Sequence, residues 1–462
     1  MLSETQIVVV GCGAIGVPLA VALASRGADV LGVDTDEARL AQLTAGAVDE
    51  RDSGLHEALG LALSQKRIRF ERTLQPLPLR RTYILAVPTP VGVQLRPNRD
   101  LLDAAFAQVL AVARAGDLVI VRSTVAVGTT RALAATSAHG SGLLFAASPD
   151  RSLAGRAFAD QLSIPNIVGP TSVEAGRMAA AIFARLGAVH VLDSPEAAEL
   201  VKLFCNAQRD ITFALANQFA LICDTLDVNF QAITQAAADH YPRFNVAVPG
   251  PVGGPCLSKD SYLLAESVEW REDLVGLVLA AREINASLPQ RIVERIAAHA
   301  RSSARSALGV TILGLAFKGE PPTRDQRGSF GLQLAEAIRS SMPEAVIRKW
   351  DPEIPHLNQS HPGQDVSSRG DMESQDGGEA GTFAAAVDGA DIVVLANNHW
   401  AIRSIDLEAL SRRMQAGGLI LDSFGYPGML PQALPNDVTF VKFGSGERYG
   451  RADASHIEAA AG

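Results

Sequence analysis

Cysteine is scarce in this chain: 462 residues contain only Cys12, Cys205, Cys223 and Cys256. No two of them stand at metal-ligand spacing and four cannot staple a chain of this length, so the sequence argues against a cysteine-held metal and a disulfide scaffold. They read as free thiols in a reducing compartment. Basic charge is also short, with 41 Lys and Arg against 50 Asp and Glu for a net −9, which argues against broad affinity for nucleic acid or an anionic membrane. An anionic substrate then needs a local basic pocket. Long apolar runs are missing too: each is interrupted by Arg, Asp, Asn or Gln before it reaches the length of a membrane span, and the first residues run straight into a strand pattern. The expectation is a soluble, cytoplasmic protein with no membrane partner, no nucleic-acid partner and no metal.

What is present is a 47% hydrophobic chain, enough for more than one core, and its length suggests two to three domains. From residue 7 to about 191, short β-branched runs alternate with segments of helical period, the pattern of βαβ crossovers and a mainly parallel sheet. Strands are expected at 7–10, 30–33, 83–87 and 118–121. From about 196 to 286 the β-branched runs stop, and stretches such as 198–226 place apolar residues at helical spacing. Residues 273–298 read as one long connecting helix, perturbed at Pro289, whose ring removes a backbone donor. A second, smaller α/β pattern predicts strands at 310–315, 345–350, 391–395, 419–422 and 438–443. The fold class is therefore α/β: two Rossmann-like parallel-sheet domains, 1–195 and 299–450, joined by a central all-helical domain, 196–298, with a tail at 451–462. Residues 355–381, polar and without apolar period, read as a mobile surface insertion.

Val8-Val9-Val10-Gly11-Cys12-Gly13-Ala14-Ile15-Gly16 is a strand followed by G-x-G-x-x-G and an Ala-rich helix, the context that a dinucleotide fingerprint requires. Gly11 permits the tight turn, Gly13 the approach of a pyrophosphate, and Gly16 the packing of helix on sheet. The helix N-terminus, with Ala14 and Ile15, offers amides and a positive dipole end to the phosphates. The second strand ends at Asp34, where a carboxylate accepts both ribose hydroxyls and repels a 2′-phosphate, favouring NAD over NADP. Pro88, Thr89, Ser123 and Thr124 follow later strands and should share the carboxyl edge where ligands bind. Each of these alone fits a strand-ending turn equally well, and the glycines alone fit a plain βα turn; spacing, context and acid together favour the cofactor. Cys12 reads as a small filler residue. A second strand-then-glycine opening at Gly314 hints at two nucleotide-binding halves.

Pro249-Gly250-Pro251-Val252-Gly253-Gly254-Pro255-Cys256-Leu257-Ser258-Lys259-Asp260 places a thiol in a glycine-rich loop just ahead of Lys and Asp. This stretch resembles the Gly-Gly-x-Cys-x-x-Lys-Asp motif of the UDP-glucose/GDP-mannose dehydrogenase family, and the resemblance extends from the fingerprint to about Phe443. It implies that Cys256 is a nucleophile: a thiolate adds to an enzyme-held aldehyde, and loss of hydride to a second NAD leaves a hydrolysable thioester. A nearby ammonium would favour that thiolate. Cys205 and Cys223, on the central helical pattern, read as buried filler.

The segment 198–206 is similar to the family helix in which Lys202 would stabilise the alkoxide and then the oxyanion, while Asn206, one turn on, holds the sugar or a water. By the same resemblance Asp260 accepts the alcohol proton, and Thr124 counts with both the cofactor-binding and catalytic groups. Ser148-Pro149-Asp150-Arg151 is similar to a family loop whose Glu activates the hydrolytic water. Here Asp150 stands in that place with a reach about 1.5 Å shorter, one C–C bond. Arg151 with the neutral Ala154, and the run His240-Tyr241-Pro242-Arg243-Phe244-Asn245, resemble the UDP-N-acetylhexosamine branch. The resemblance gives Arg243 to the neighbouring subunit's substrate and so implies a homodimer. It places Gly253, Phe317, Lys318 and Arg327 at the UDP-sugar, Arg by its planar fork. Lys259 stays open between orienting the uridine loop and plain solvation.

The expectation is an NAD-dependent nucleotide-sugar 6-dehydrogenase acting on a UDP-N-acetylhexosamine such as UDP-ManNAc, for polysaccharide precursor synthesis. Its rivals are a UDP-glucose 6-dehydrogenase, a two-electron β-hydroxyacid dehydrogenase that needs no thiol, and a catalytically silent nucleotide-sugar sensor.

Overall fold

The computed structural model describes residues 5–48, 52–92, 94–137, 142–302, 308–357, 381–426 and 434–446. Most of the 355–381 insertion and the whole 451–462 tail lie outside these residues. The chain divides into two compact units, one of Met1–Ala207 with Lys259–Leu279 and one of Gln208–Ser258 with Ala280–Gly462. The central helices are apportioned between them.

The first unit is built on eight strands, β1 (Gln6–Val10), β2 (Val30–Val33), β3 (Ile68–Glu71), β4 (Arg81–Leu85), β5 (Leu118–Val121), β6 (Leu144–Ala147), β7 (Asn166–Pro170) and β8 (Val189–Val191), in the order β3-β2-β1-β4-β5-β6-β7-β8. All pairings are parallel except β6 with β7. Both faces of the sheet are covered at its centre, so strands such as β1 and β5 read as nearly unbroken apolar runs. Along β1, Ile7 and Val9 enter one core and Val8 and Val10 the other. β4 lies two residues earlier than the expected 83–87. Arg81 joins the strand because its guanidinium is satisfied by Gln6 Oε1 (3.0 Å) and the Gln75 carbonyl (2.6 Å), whereas Pro88 brings no N–H to extend the far end.

The second unit has a five-stranded, all-parallel sheet of β9 (Gly309–Leu313), β10 (Val346–Trp350), β11 (Ile392–Leu395), β12 (Leu419–Asp422) and β13 (Thr439–Lys442), ordered β10-β9-β11-β12-β13. Ile392 and Val394 face a core shared with Ala220, Phe230, Ile292 and Ile296, while Val393 and Leu395 face the opposite one.

Two central features differ from expectation. The stretch 273–298 is not one helix but two, Glu272–Ala286 and Leu288–Ser302, meeting at Ser287, because Pro289 has no N–H for the carbonyl one turn back. Residues 239–256 are non-helical, between helices Phe230–Ala238 and Leu257–Ser267; Pro242, Pro249, Pro251 and Pro255 deny this stretch the donors a helix needs. Among the described residues no helix is long and apolar enough to cross a membrane.

Candidate active site

The chain order reverses beside β1, and such switch points at the carboxyl ends of strands are where doubly wound sheets bind ligands. Gly11 there has φ +98°, and a Cβ on it would meet the Ala86 carbonyl oxygen at 2.7 Å. A Cβ on Gly16 would stand 1.8 Å from the Gly11 carbonyl oxygen, so helix Gly16–Ser25 starts hard against the turn. Gly13 has nothing within 4 Å of the Cβ position, and the helix has no side-chain cap. The Val17 N–H donates to the Gly13 carbonyl (3.1 Å) and Pro18 brings no N–H, so the amides that face a ligand are those of the turn up to Gly16. Asp34 Oδ2 accepts from Cys12 N (2.7 Å) and Oδ1 from Asp36 N (3.0 Å), holding the carboxylate beside the turn. These residues fit NAD.

Ala14 is exposed and Ile15 half-buried at the same turn, whereas Cys12 is buried. Burial above all, then the Asp34 charge, pushes the Cys12 thiol up to about 12 against the opposing Arg39 charge, so Cys12 is inert packing. Pro88, Thr89, Ser123 and Thr124 come together at the ends of β4 and β5: Ser123 Oγ donates to the Val87 carbonyl (2.7 Å) and Thr89 Oγ1 to the Thr124 carbonyl (2.5 Å). Arg39 Nε donates to the Cys12 carbonyl at 3.3 Å, putting a guanidinium close to Asp34. Asp34 is expected to repel a 2′-phosphate, and replacing it with Asn removes that charge and leaves the cation in place. The expected outcome is a loss of about tenfold or more in NAD-over-NADP preference, the worth of about 1.4 kcal/mol, measured as the ratio of kcat/KM for the two; an unchanged ratio removes Asp34 from the ribose.

The same unit carries Lys202 and Asn206 on the long helix Pro195–Leu226, both buried, and Asp260 at the start of helix Leu257–Ser267. Asp260 is 1% exposed; its Oδ2 accepts from Asn206 Nδ2 at 2.5 Å and its Oδ1 pairs with Lys259 Nζ at 2.7 Å. Lys259, left open between two roles above, is thus tied to the neighbouring carboxylate.

Asp150 follows β6 and is 4% exposed, as is Arg122 after β5. Arg122 Nη2 donates to Asp150 Oδ1 (2.9 Å) and Gln161 Oε1 (2.8 Å), and Nη1 to the Ser148 carbonyl (3.0 Å) and Asn166 Oδ1 (3.0 Å). Asp150 also accepts from Gln161 Nε2 (2.7 Å), Ser152 N (3.0 Å) and Ser152 Oγ (2.5 Å). Burial by itself raises the Asp150 pKa, but Arg122, the Ser152 and Gln161 hydrogen bonds and the Lys202 charge together hold it below the usual carboxylate range. Arg122 escaped the sequence reading because its partners come from β6, β7 and the helix between them. Arg151 donates from Nη2 to the Pro165 carbonyl at 2.5 Å.

In the second unit Cys256 is exposed. Its loop runs against the turn after β9: a Cβ on Gly253 would meet the Gly328 carbonyl oxygen at 2.2 Å, and one on Gly254 (φ +95°) would strike the Phe317 ring at 2.5 Å. The Gly254 N–H donates to the Gly328 carbonyl (3.1 Å). The fold therefore gathers Cys256, Gly253, Phe317 and Arg327 around one turn. Arg327 is paired with Asp325 (Nη2–Oδ2 2.6 Å), which raises its pKa despite burial, and a negative Cys256 adds to that. Lys318 lies 5.6 Å from the Phe317 ring centre. Arg243 is exposed.

The turn repeats the first one. Gly314 has φ +107°, a Cβ on Gly331 would stand 2.1 Å from the Gly314 carbonyl oxygen, and Asp351 after β10 accepts from Leu315 N (2.6 Å) and Ala316 N (2.9 Å). Asp351 is the counterpart of Asp34 and was missed because the helix after the turn starts much later, at Phe330. Cys223 is buried as expected and burial raises its pKa, with Asp224 adding, but Cys205 is exposed rather than buried. Helical spacing alone did not orient it, since the same helix also leaves its neighbour Phe204 exposed.

Glycine turn, uncapped helix and acid at the switch point of a doubly wound sheet define a dinucleotide-binding protein. Three family models match in sequence order: the NAD binding domain of the UDP-glucose/GDP-mannose dehydrogenase family over residues 5–187, its central domain over 196–287 and its UDP binding domain over 311–426. The chain is 31% identical over 420 residues to the UDP-N-acetyl-D-mannosamine dehydrogenase of Pyrococcus horikoshii, covering 89% of this chain and 93% of the relative. It is 30% identical over 423 residues, 88% of this chain and 93% of the relative, to an NDP-N-acetyl-D-galactosaminuronic acid dehydrogenase of Ralstonia nicotianae. The solved structure of the P. horikoshii UDP-D-ManNAc dehydrogenase superposes with a TM-score of 0.79 at 29% identity, covering 96% of this chain and 99% of that one. The chain belongs to the UDP-glucose/GDP-mannose dehydrogenase family. It is an NAD-dependent nucleotide-sugar dehydrogenase.

Proposed function

We propose that this protein oxidises the C6 alcohol of a UDP-N-acetylhexosamine, UDP-ManNAc foremost, to the uronate in a four-electron reaction through a thioester on Cys256, supplying a polysaccharide precursor. The observation that carries the reading is the exposed Cys256 thiol in a loop seated on Gly328 and Phe317, within electrostatic reach of Arg327. The named activities of the two relatives support an N-acetylated sugar.

NAD, when bound by Gly11, Gly13, Ala14, Ile15, Gly16 and Asp34, supplies the hydride acceptor for each oxidation. Asp260 takes the hydroxyl proton in the first step, with Asn206 and Lys259 holding its oxygens. The buried Lys202 ammonium stabilises the alkoxide and later the tetrahedral oxyanion. Cys256 Sγ adds to the aldehyde carbon to give a hemithioacetal, and loss of its hydride to the second acceptor and of its hydroxyl proton gives the thioester. Water cleaves the thioester to the carboxylate, restoring the thiol. Asp150, with its oxygens occupied by strong donors and its pKa lowered, is assigned to balancing Arg122 and Lys202 rather than to activating that water. Arg151 and Arg243 are assigned to the sugar-nucleotide, and Lys318 and Arg327 to the pyrophosphate, by their match to the family pattern.

The homodimer is supported by Leu215, Phe219, Ile222 and Leu226, all exposed at 4-3-4 spacing on one helix; such a stripe costs solvation free energy unless covered. A cytoplasmic location is supported by the four cysteines, none of which is in a disulfide.

The test is turnover on UDP-ManNAc, UDP-GlcNAc and UDP-glucose with NADH counted per uronate. The expected result is the highest kcat/KM on an N-acetylated sugar with two NADH per product. One NADH per product removes the thioester, preference for UDP-glucose removes the assigned branch, and binding of NAD and UDP-sugar without any uronate leaves a sensor.

A further inference from the structure

Four polar side chains of the second unit lie among packed helices with almost no solvent contact: Asp210 and Asn217 at 0% exposure, Asn285 at 2% and Arg282 at 4%. Burying an ion pair and two amides is often no more stabilising than apolar residues of the same volume, so packing by itself does not account for them. Their hydrogen bonds form one chain. Arg282 Nη1 donates to Asp210 Oδ1 (2.9 Å). Asn285 Nδ2 donates to Asp210 Oδ1 (2.7 Å) and to the Asp210 carbonyl (2.9 Å). Asn217 Nδ2 donates to Asn285 Oδ1 (2.8 Å).

Both ends of the chain leave the helices and grip the loop that carries Cys256. Asn217 takes both backbone groups of Gly250, accepting from its N–H (2.7 Å) and donating to its carbonyl (3.0 Å). Arg282 Nη1 also donates to the carbonyl of Leu257, the residue after Cys256 (3.1 Å). The Gly250 N–H needs an acceptor and its carbonyl a donor, which sets the Asn217 amide orientation. That orientation in turn presents the remaining Nδ2 hydrogen to Asn285 and aims the Asn285 amino group at Asp210. Both N–H donors of each asparagine amide are thereby used, and the segment 250–257 is pinned at its two ends by side chains that cannot turn. Ser258 Oγ closes the turn around the thiol by donating to the Gly254 carbonyl (2.6 Å).

We propose that Asn217, Asn285, Asp210 and Arg282 form a clamp that positions Cys256 for attack on the aldehyde. They are positioning residues, not catalytic ones, acting through the backbone at Gly250 and Leu257. The inference rests on the thioester reading. A nucleophile displaced by about 1 Å loses on the order of 10²-fold in rate, so the clamp acts on kcat for uronate far more than on KM.

The experiment follows alkylation of each cysteine by iodoacetamide across pH, with peptide-resolved mass spectrometry, in the full-length wild type, Asn217→Leu and Arg282→Lys. Exposed Cys205 is the internal reference, and buried Cys12 and Cys223 report unfolding. Turnover of UDP-ManNAc is measured alongside. In Asn217→Leu the expected result is a shifted pH profile at Cys256 alone and a kcat for uronate lower by on the order of 10²-fold, with KM nearly unchanged. Arg282→Lys keeps a donor and the charge, so it shows the same changes at smaller size. A folded Asn217→Leu with wild-type Cys256 alkylation and wild-type kcat overturns the clamp. If Cys12 and Cys223 react in that variant it has unfolded, and Arg282→Lys decides by the same two readouts. The thioester reading fails separately, through uronate made by Cys256→Ala.

Discussion

Cys256→Ala is expected to stop uronate formation, with turnover down by on the order of 10⁴-fold or more, the scale of losing a covalent nucleophile, while NAD binding survives. The residues proposed to hold NAD belong to the first unit and Cys256 to the second, so the substitution changes none of the fingerprint turn, the uncapped helix and Asp34. In the proposed mechanism, oxidation of the alcohol to the aldehyde draws on Asp260 and Lys202 and does not need the thiol. The variant is accordingly expected to form at most one equivalent of NADH per substrate and to accumulate aldehyde, trapped with a hydrazide and counted against NADH. A normal uronate yield with two NADH per product rules the thioester out and leaves a hydrated aldehyde as the species oxidised second.

Asp150→Ala is expected to destabilise the first unit by about 3–5 kcal/mol, the scale of leaving one member of a buried ion pair without its partner. Arg122 would keep Gln161, Ser148 and Asn166 as acceptors but lose its counter-charge in a site 4% exposed. The effect depends on pH with a definite sign. The folded Asp150 pKa lies below the unfolded value, so its stabilisation is fully present above the unfolded pKa, about 4, and disappears as pH falls through the folded one. Urea midpoints of wild type and variant should differ most at neutral pH and converge below about pH 4. A loss under about 1 kcal/mol at neutral pH, the range of exposed pairs, contradicts the burial argument. The double replacement Arg122→Met with Asp150→Leu should recover much of the stability, since the pair is removed whole.

Much of the fold was legible because it rests on local pattern. Strands 30–33, 118–121 and 419–422 fall where the sequence placed them, since a β-branched run between glycine-containing turns leaves little choice. The Gly11 fingerprint was legible for the same reason: three glycines at fixed spacing answer to sterics within a few residues. Arg81 misled because a charge inside a strand is tolerated only when packing supplies its partners, and Gln6, one of the two, lies 75 positions away. Cys205 misled because helical period tells which residues share a face, not which face is covered.

The sequence by itself determined the two α/β halves, the helical middle, the dinucleotide turn and, through one glycine-rich loop, the candidate nucleophile. Only the tertiary structure decided that Asp150 is held by Arg122, that Asp351 repeats Asp34 after β10, and that Asn217 and Arg282 grip both ends of the Cys256 loop. Those contacts join residues 28 to 36 positions apart, or 25 between Arg282 and Leu257. A buried polar group takes whichever donor or acceptor the packing brings to it, and no periodicity along the chain records that choice.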